Sequence, residues 1–239
     1  MTFPSRMPAS ALAVFLSLAA LSGTAKASVL YEFDVAGSDQ DGALKALAIF
    51  TINNGNISIQ LTNLQANPTA AGQLISGIKF TLSNAPGAVT GAGTSGQLIS
   101  VNTSNGTYTN VAGNPSRWEA AGHITQSGSS GELLVLGGSQ PDEMIIGPPD
   151  SHNRYSNANS SINNFNPQVF ESAYFALNAP NVTTSTVVTT ASIIFGTGPE
   201  ATLRGTPVAP IPEPSTMALA IAGLTAAGLG RFLKRRRSA

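Results

Sequence analysis

Residues 53–64 constrain the fold more tightly than any other stretch of the chain. Asn53-Asn-Gly-Asn56 is a tight-turn sequence, and in Ile57 to Leu64 (ISIQLTNL) apolar and polar side chains then alternate as far as Thr62. A period of two belongs to a strand with one buried face, because successive side chains leave a pleated backbone on opposite sides. Ala46 to Ile52 alternates in part, so the two segments make a predicted hairpin with Ile57, Ile59 and Leu61 on one face.

The same pattern recurs along the middle of the chain. Strands are expected at Val29 to Val35, Ile75 to Leu82, Gln97 to Asn102, Arg117 to Ile124, Glu132 to Leu136, Val169 to Leu177 and Val187 to Phe195. Turn clusters separate them at Asn84 to Gly87, Ser127 to Gly131 and Gly147 to Asp150. No stretch of this region shows a helical period with caps. Composition agrees: there are 24 Gly and 15 Pro, and charged residues make up 10% of the chain, where surface helices would bring Lys, Glu and Arg. About nine to eleven short strands with turn punctuation predict an all-β fold, an antiparallel β-sandwich that is jelly-roll-like or immunoglobulin-like.

Two totals exclude whole classes of chemistry. The chain has no cysteine, which rules out disulfides, a thiol nucleophile and thiolate metal sites. Between Ser28 and Thr206 five bases face eleven acids, a net charge of −6. Phosphate binding needs a basic footprint, so nucleic acid is not expected as a partner.

The ends differ from the middle. In residues 1–27, Arg6 precedes the apolar run Ala11 to Leu21, and Ala25-Lys26-Ala27 supplies a small-x-small cleavage pattern. Together they predict a signal peptide with a signal helix, removed by signal peptidase at Ala25 and Ala27 to leave Ser28 as the mature start. The run is too short to span about 30 Å of hydrocarbon. Residues 28–206 are the expected ectodomain and 207–239 a tail. The tail begins with the proline-dense segment Pro207 to Pro214, which is expected to stay out of any ladder and be extended. An uncharged run of Ala, Leu, Ile and Gly follows, then the basic cluster Arg231, Lys234, Arg235, Arg236 and Arg237. The run from Thr216 to Gly230 makes a helix of about 22 Å, and Phe232 and Leu233 bring it near a full transmembrane span. The bases are expected to remain cytoplasmic, leaving the ectodomain on the outer side.

Ile211-Pro212-Glu213-Pro214-Ser215-Thr216, a short Gly/Ala-rich apolar helix and a terminal Arg-rich cluster resemble the PEP-CTERM sorting signal, also called the ice-binding protein C-terminal domain. The resemblance covers Pro210 to Ala239, with Pro212, Glu213 and Pro214 on the motif's own positions and Ile211 where valine is usual. It implies an exosortase as partner, a membrane-embedded cysteine transpeptidase-like enzyme of Gram-negative bacteria that make extracellular polysaccharide. It also implies a precursor held in the inner membrane until cleavage near Pro-Glu-Pro delivers it to the cell surface or the medium. The middle region is similar to ectodomains found on such proteins through Gly77 to Ser83, Arg117-Trp118, Pro141 to Asp150 and Tyr155 to Ser161. That similarity implies a surface ectodomain and carries no chemistry with it.

The expected function is therefore a non-catalytic display or adhesion protein of the cell surface or extracellular matrix, with no cofactor. Two other classes stay open. A carbohydrate-binding module for exopolysaccharide would use Arg117 and Trp118 as a platform, a ring for stacking beside a hydrogen-bonding cation; the alternative is that Trp118 belongs to the core. A secreted hydrolase would draw on Asp142, Glu143, Asp150 and His152, the densest ionisable cluster. Adjacent Asp142 and Glu143 would point to opposite faces of a strand, and no Gly-x-Ser-x-Gly elbow accompanies His123 or His152. Asp39 and Asp41 before Gly42 are candidate Ca²⁺ ligands, or simply an acidic hairpin turn. Thr183 to Thr190 is Thr-rich but occurs once, where an ice-binding face would repeat it.

Overall fold

Alternation sorts the side chains into a buried layer and a solvent layer, as the hairpin illustrates. Strand β2 (Gly42–Asn53) buries Leu44, Ala46, Ala48, Phe50 and Ile52, and β3 (Asn56–Asn63) buries Ile57, Ile59 and Leu61. The two pair from Ala46 opposite Asn63 to Asn53 opposite Asn56. Gly55 closes the turn at φ 78°, a left-handed conformation that glycine adopts without a Cβ clash. The computed structural model describes residues 28–120, 124–134, 141–198 and 201–208. The signal peptide with Ala25 and Ala27, His123, the motif Pro212, Glu213 and Pro214, the transmembrane helix and the cluster Arg231, Lys234, Arg235, Arg236 and Arg237 lie outside the described residues.

Two sheets form from fifteen strands among the described residues. In the first, β15 (Thr206–Val208), β1 (Val29–Asp39), β2, β3, β12 (Ser172–Asn178) and β5 (Thr90–Ser95) lie side by side. The second runs β14 (Ala201–Arg204), β13 (Val188–Phe195), β4 (Ile75–Leu82), β10 (Ile145–Ile146), β11 (Gln168–Phe170), β6 (Leu98–Asn102) and β7 (Thr107–Val111). Strand β9 (Ser130–Leu134) also pairs with β4, and β8 (Ile124–Ser127) pairs with β9. The inner faces meet through aromatic edges: Phe50 lies 5.8 Å from Phe33 of its own sheet and 5.3 Å from Phe80 of the other. Two sheets sharing one apolar layer make an all-β sandwich.

Four details depart from the sequence expectation. Arg117 to Ile124 does not open as a strand; Arg117–Ala120 is a single helical turn. The Glu143 carboxylate accepts the backbone N–H groups of Ser116 at 2.7 Å and Arg117 at 2.5 Å, so a distant acid satisfies donors that the turn leaves open. Val169 to Leu177 is two strands, because Glu171 at φ 59° breaks the extended backbone between β11 and β12. Among the described residues the antiparallel rule has one exception, the parallel pair β10 and β11, with Ile145 opposite Val169 and Ile146 opposite Phe170. Pro207 does join a ladder, opposite Phe33, because β15 is an edge strand and an edge tolerates a missing N–H.

Asn63 holds the two sheets together near that break. Its buried side chain donates to Gln73 O at 2.8 Å and Ile145 O at 2.9 Å and accepts the N–H of Gln65 at 3.0 Å. Ile145 belongs to the second sheet and Asn63 to the first, so one amide bridges the layers. Replacing Asn63 with Ala leaves buried carbonyls without donors, at about 1–3 kcal/mol for each unsatisfied group. The expected loss is about 2–4 kcal/mol, read as a lower urea midpoint at unchanged slope. A loss under about 1 kcal/mol would mean that the bridge is dispensable.

Candidate functional site

Trp118 is not a surface platform. It is 0% exposed, its indole N–H donates to Glu143 O at 2.9 Å, and its ring lies 4.9 Å from Phe175 of β12. The helical turn at Arg117–Ala120 rolls the indole inward, where a strand would have left the choice of face open. Arg117 remains exposed and reaches Asp142 at 3.4 Å, an ion pair of little energetic weight at the surface. The pair Arg117 and Trp118 therefore offers a sugar no ring face, and the expectation built on it is withdrawn.

Asp39 and Asp41 stand at the β1–β2 turn. The Asp41 N–H donates to Asp39 Oδ1 at 2.8 Å, the local bond of an acidic hairpin turn. The turn borders an open groove of about 820 Å³ whose other walls include Leu44, Asn159, Ser161, Phe195 and Thr197. Ca²⁺ takes 6–8 oxygen ligands. Among the described residues no group of three His, Cys, Asp or Glu side chains converges on a metal position. The polar rim is itself engaged: Ser161 Oγ accepts the Ala71 N–H at 2.9 Å and bonds Asn159 Oδ1.

The ionisable cluster does not assemble as a catalytic pair. Asp142 faces Arg117, and Glu143 is buried against Ser116 and Arg117. Asp150 organises its own loop, accepting N–H groups from His152 at 2.9 Å and Arg154 at 3.0 Å and the Ser156 hydroxyl at 2.6 Å. The Ser156 bond, with the two backbone donors and the nearby His152, holds the Asp150 carboxyl below its ordinary range. A glycosidase general acid needs the opposite shift.

The outer face of the first sheet carries a feature that sequence reasoning did not single out. Tyr174 is 50% exposed on β12, and with Ile49 it walls an open furrow of about 470 Å³. One rung across the sheet reads Ile49, Gln60, Tyr174, Ser95. The next reads Thr51, Ser58, Ala176, Gly93. Large side chains on one rung beside small ones on the next leave a trough. The signal lay in the β12 alternation, which puts Phe175 inward and Tyr174 outward.

Known sequences speak to the tail alone. Residues 210–237 match the PEP-CTERM protein-sorting motif, which indicates exosortase-directed export and sorting to the cell surface. No curated protein and no solved structure matches the chain. Among the described residues no helix is long and apolar enough to cross a membrane.

Two measurements check the buried indole and the Asp150 loop. Trp118 is the only tryptophan, so the native emission is expected to be blue-shifted and resistant to iodide quenching. Trp118→Ala is expected to lose about 3–5 kcal/mol of stability; a red, quenchable emission would put the indole in water. For Asp150 a lowered native pKa gives stabilisation that is present above the unfolded value, about 3.9, and lost as pH falls through the native one. Asp150→Asn is thus expected to show a smaller fall in Tm than the native chain between about pH 5 and pH 2.5. Equal falls would mean that the loop bonds do not favour the charged form.

Proposed function

We propose that this chain is exported, held in the inner membrane as a precursor by its C-terminal helix, and released or attached outside by an exosortase that reads Pro212, Glu213 and Pro214. The β-sandwich then acts as a non-catalytic surface or matrix module, in display or adhesion. The observation that carries this reading is the motif match over 210–237, directly after a strand-rich region. A removable apolar tail behind a short recognition sequence is the physical logic of a sorting signal: the tail keeps the substrate at the membrane where the enzyme works. The non-catalytic part is supported by the carboxylates, since Asp142, Glu143 and Asp150 are committed to an ion pair, a helix terminus and a loop.

Intact mass of the protein recovered from cells with and without their exosortase tests the sorting step. The expected result is loss of the segment beyond Pro212-Glu213-Pro214 only where the enzyme is present. Changing the three residues to Ala is expected to preserve the full-length chain in both. An uncut C-terminus in every strain would make the tail a plain membrane anchor.

A further inference from the structure

We propose that the furrow beside Tyr174 binds a neutral polysaccharide, with the tyrosine ring stacked against one sugar. This goes beyond the sorting reading and stands without it, because every residue named at the furrow lies between Ile49 and Ala176.

Chemistry selects the ligand class. A pyranose ring presents a face of C–H bonds and a rim of hydroxyls, so its receptor needs an exposed aromatic surface bordered by uncharged donors and acceptors. Tyr174 supplies the surface: it is half exposed, and among the described residues its hydroxyl has no hydrogen-bond partner. Gln60 and Ser95 lie directly opposite it on the flanking strands, and Thr51 and Ser58 follow one rung away. An amide and three hydroxyls both donate and accept, as sugar hydroxyls require. None of the four is hydrogen-bonded through its side chain among the described residues.

Charge decides between neutral and acidic glycans. Among the described residues no charged side chain lines the furrow, so a uronate or sulfate would be desolvated there without a partner. Its volume of about 470 Å³ lies within the range of small-ligand sites, and it is open to solvent, as a chain passing through requires. A second copy of the protein fits less well. A stable dimer buries about 800 Å² per partner around an apolar centre, whereas here Ile49 and Tyr174 sit among side-chain hydroxyls that a flat partner would leave unpaired.

Gly93 gives a test that spares the core. A Cβ added there meets nothing within 4 Å, and its φ is not in the left-handed region. Gly93→Ile therefore fills the trough with a strand-favouring residue and leaves the inner face untouched. The full chain in mild detergent would be mixed with cellulose, curdlan, starch and the acidic polymer alginate, and depletion isotherms measured. Trp118 emission serves as the folding control in each variant. Retention on at least one neutral polymer is expected, weakened about tenfold by Tyr174→Ala and by Gly93→Ile and kept by Tyr174→Phe. The proposal is overturned if no neutral polymer retains the chain, if alginate is preferred, or if both variants bind as the native chain does. It is also overturned if sedimentation shows a dimer that Tyr174→Ala dissociates while no glycan is retained. The mass measurement on the tail is blind to all of these outcomes, so the two readings fail separately.

Discussion

The peptide of Glu171 is bonded to both sheets at once, and the architecture turns on that point. Its N–H donates to Ile146 O of the second sheet at 2.9 Å, and its carbonyl accepts the Asn63 N–H of the first sheet, also at 2.9 Å. A left-handed φ at a residue other than glycine is disfavoured, and it persists here because both neighbours specify it. The Asn63 side chain reinforces the same junction by donating to Ile145 O. At this node the chain leaves β11 in one layer and enters β12 in the other.

The node also sets the phase of β12, and both aromatic observations follow from that phase. Ser172, Tyr174 and Ala176 face outward, while Ala173, Phe175 and Leu177 face the core. Phe175 then packs on Trp118, whose N–H is held by the backbone of Glu143, while the Glu143 carboxylate holds the turn that carries Trp118. Shifting β12 by one residue would exchange Tyr174 for Phe175 and abolish the furrow and the Trp118 packing together. The buried indole and the exposed phenol are two readings of a single register.

What the sequence made legible is local. The β2–β3 hairpin and β4, Ile75–Leu82, follow from alternation and turn chemistry, since a single segment contains all the information they need. What stayed hidden depends on distant partners. Strand β5 (TGAGTS) has no apolar period and is a strand because it pairs with β12. The helical turn at Arg117 exists because Glu143, 26 positions away, satisfies its first N–H. The break at Glu171 carries no Gly or Pro to announce it. The tail is the reverse case: a linear signal is read as sequence, so residues 210–237 were recognisable without a fold.

That contrast bears on how the two parts act in succession. Among the described residues β15 runs to Val208, and Pro212 lies four positions further along the sequence, at most about 14 Å of fully extended chain. On the proposed sorting reading, an enzyme gripping Pro212 to Pro214 would work within that distance of the sandwich edge, or after β15 had left it. The edge is suited to leaving. Among the described residues Thr206, Pro207 and Val208 pair with β1, their side chains are exposed, and Pro207 brings no N–H to the ladder. The strands behind it are far longer: β1 and β2 pair over eleven positions, from Val29 opposite Ile52 to Asp39 opposite Gly42. Peeling β15 would lengthen the tether and leave the Phe33–Phe50–Phe80 core and the face around Tyr174 in place.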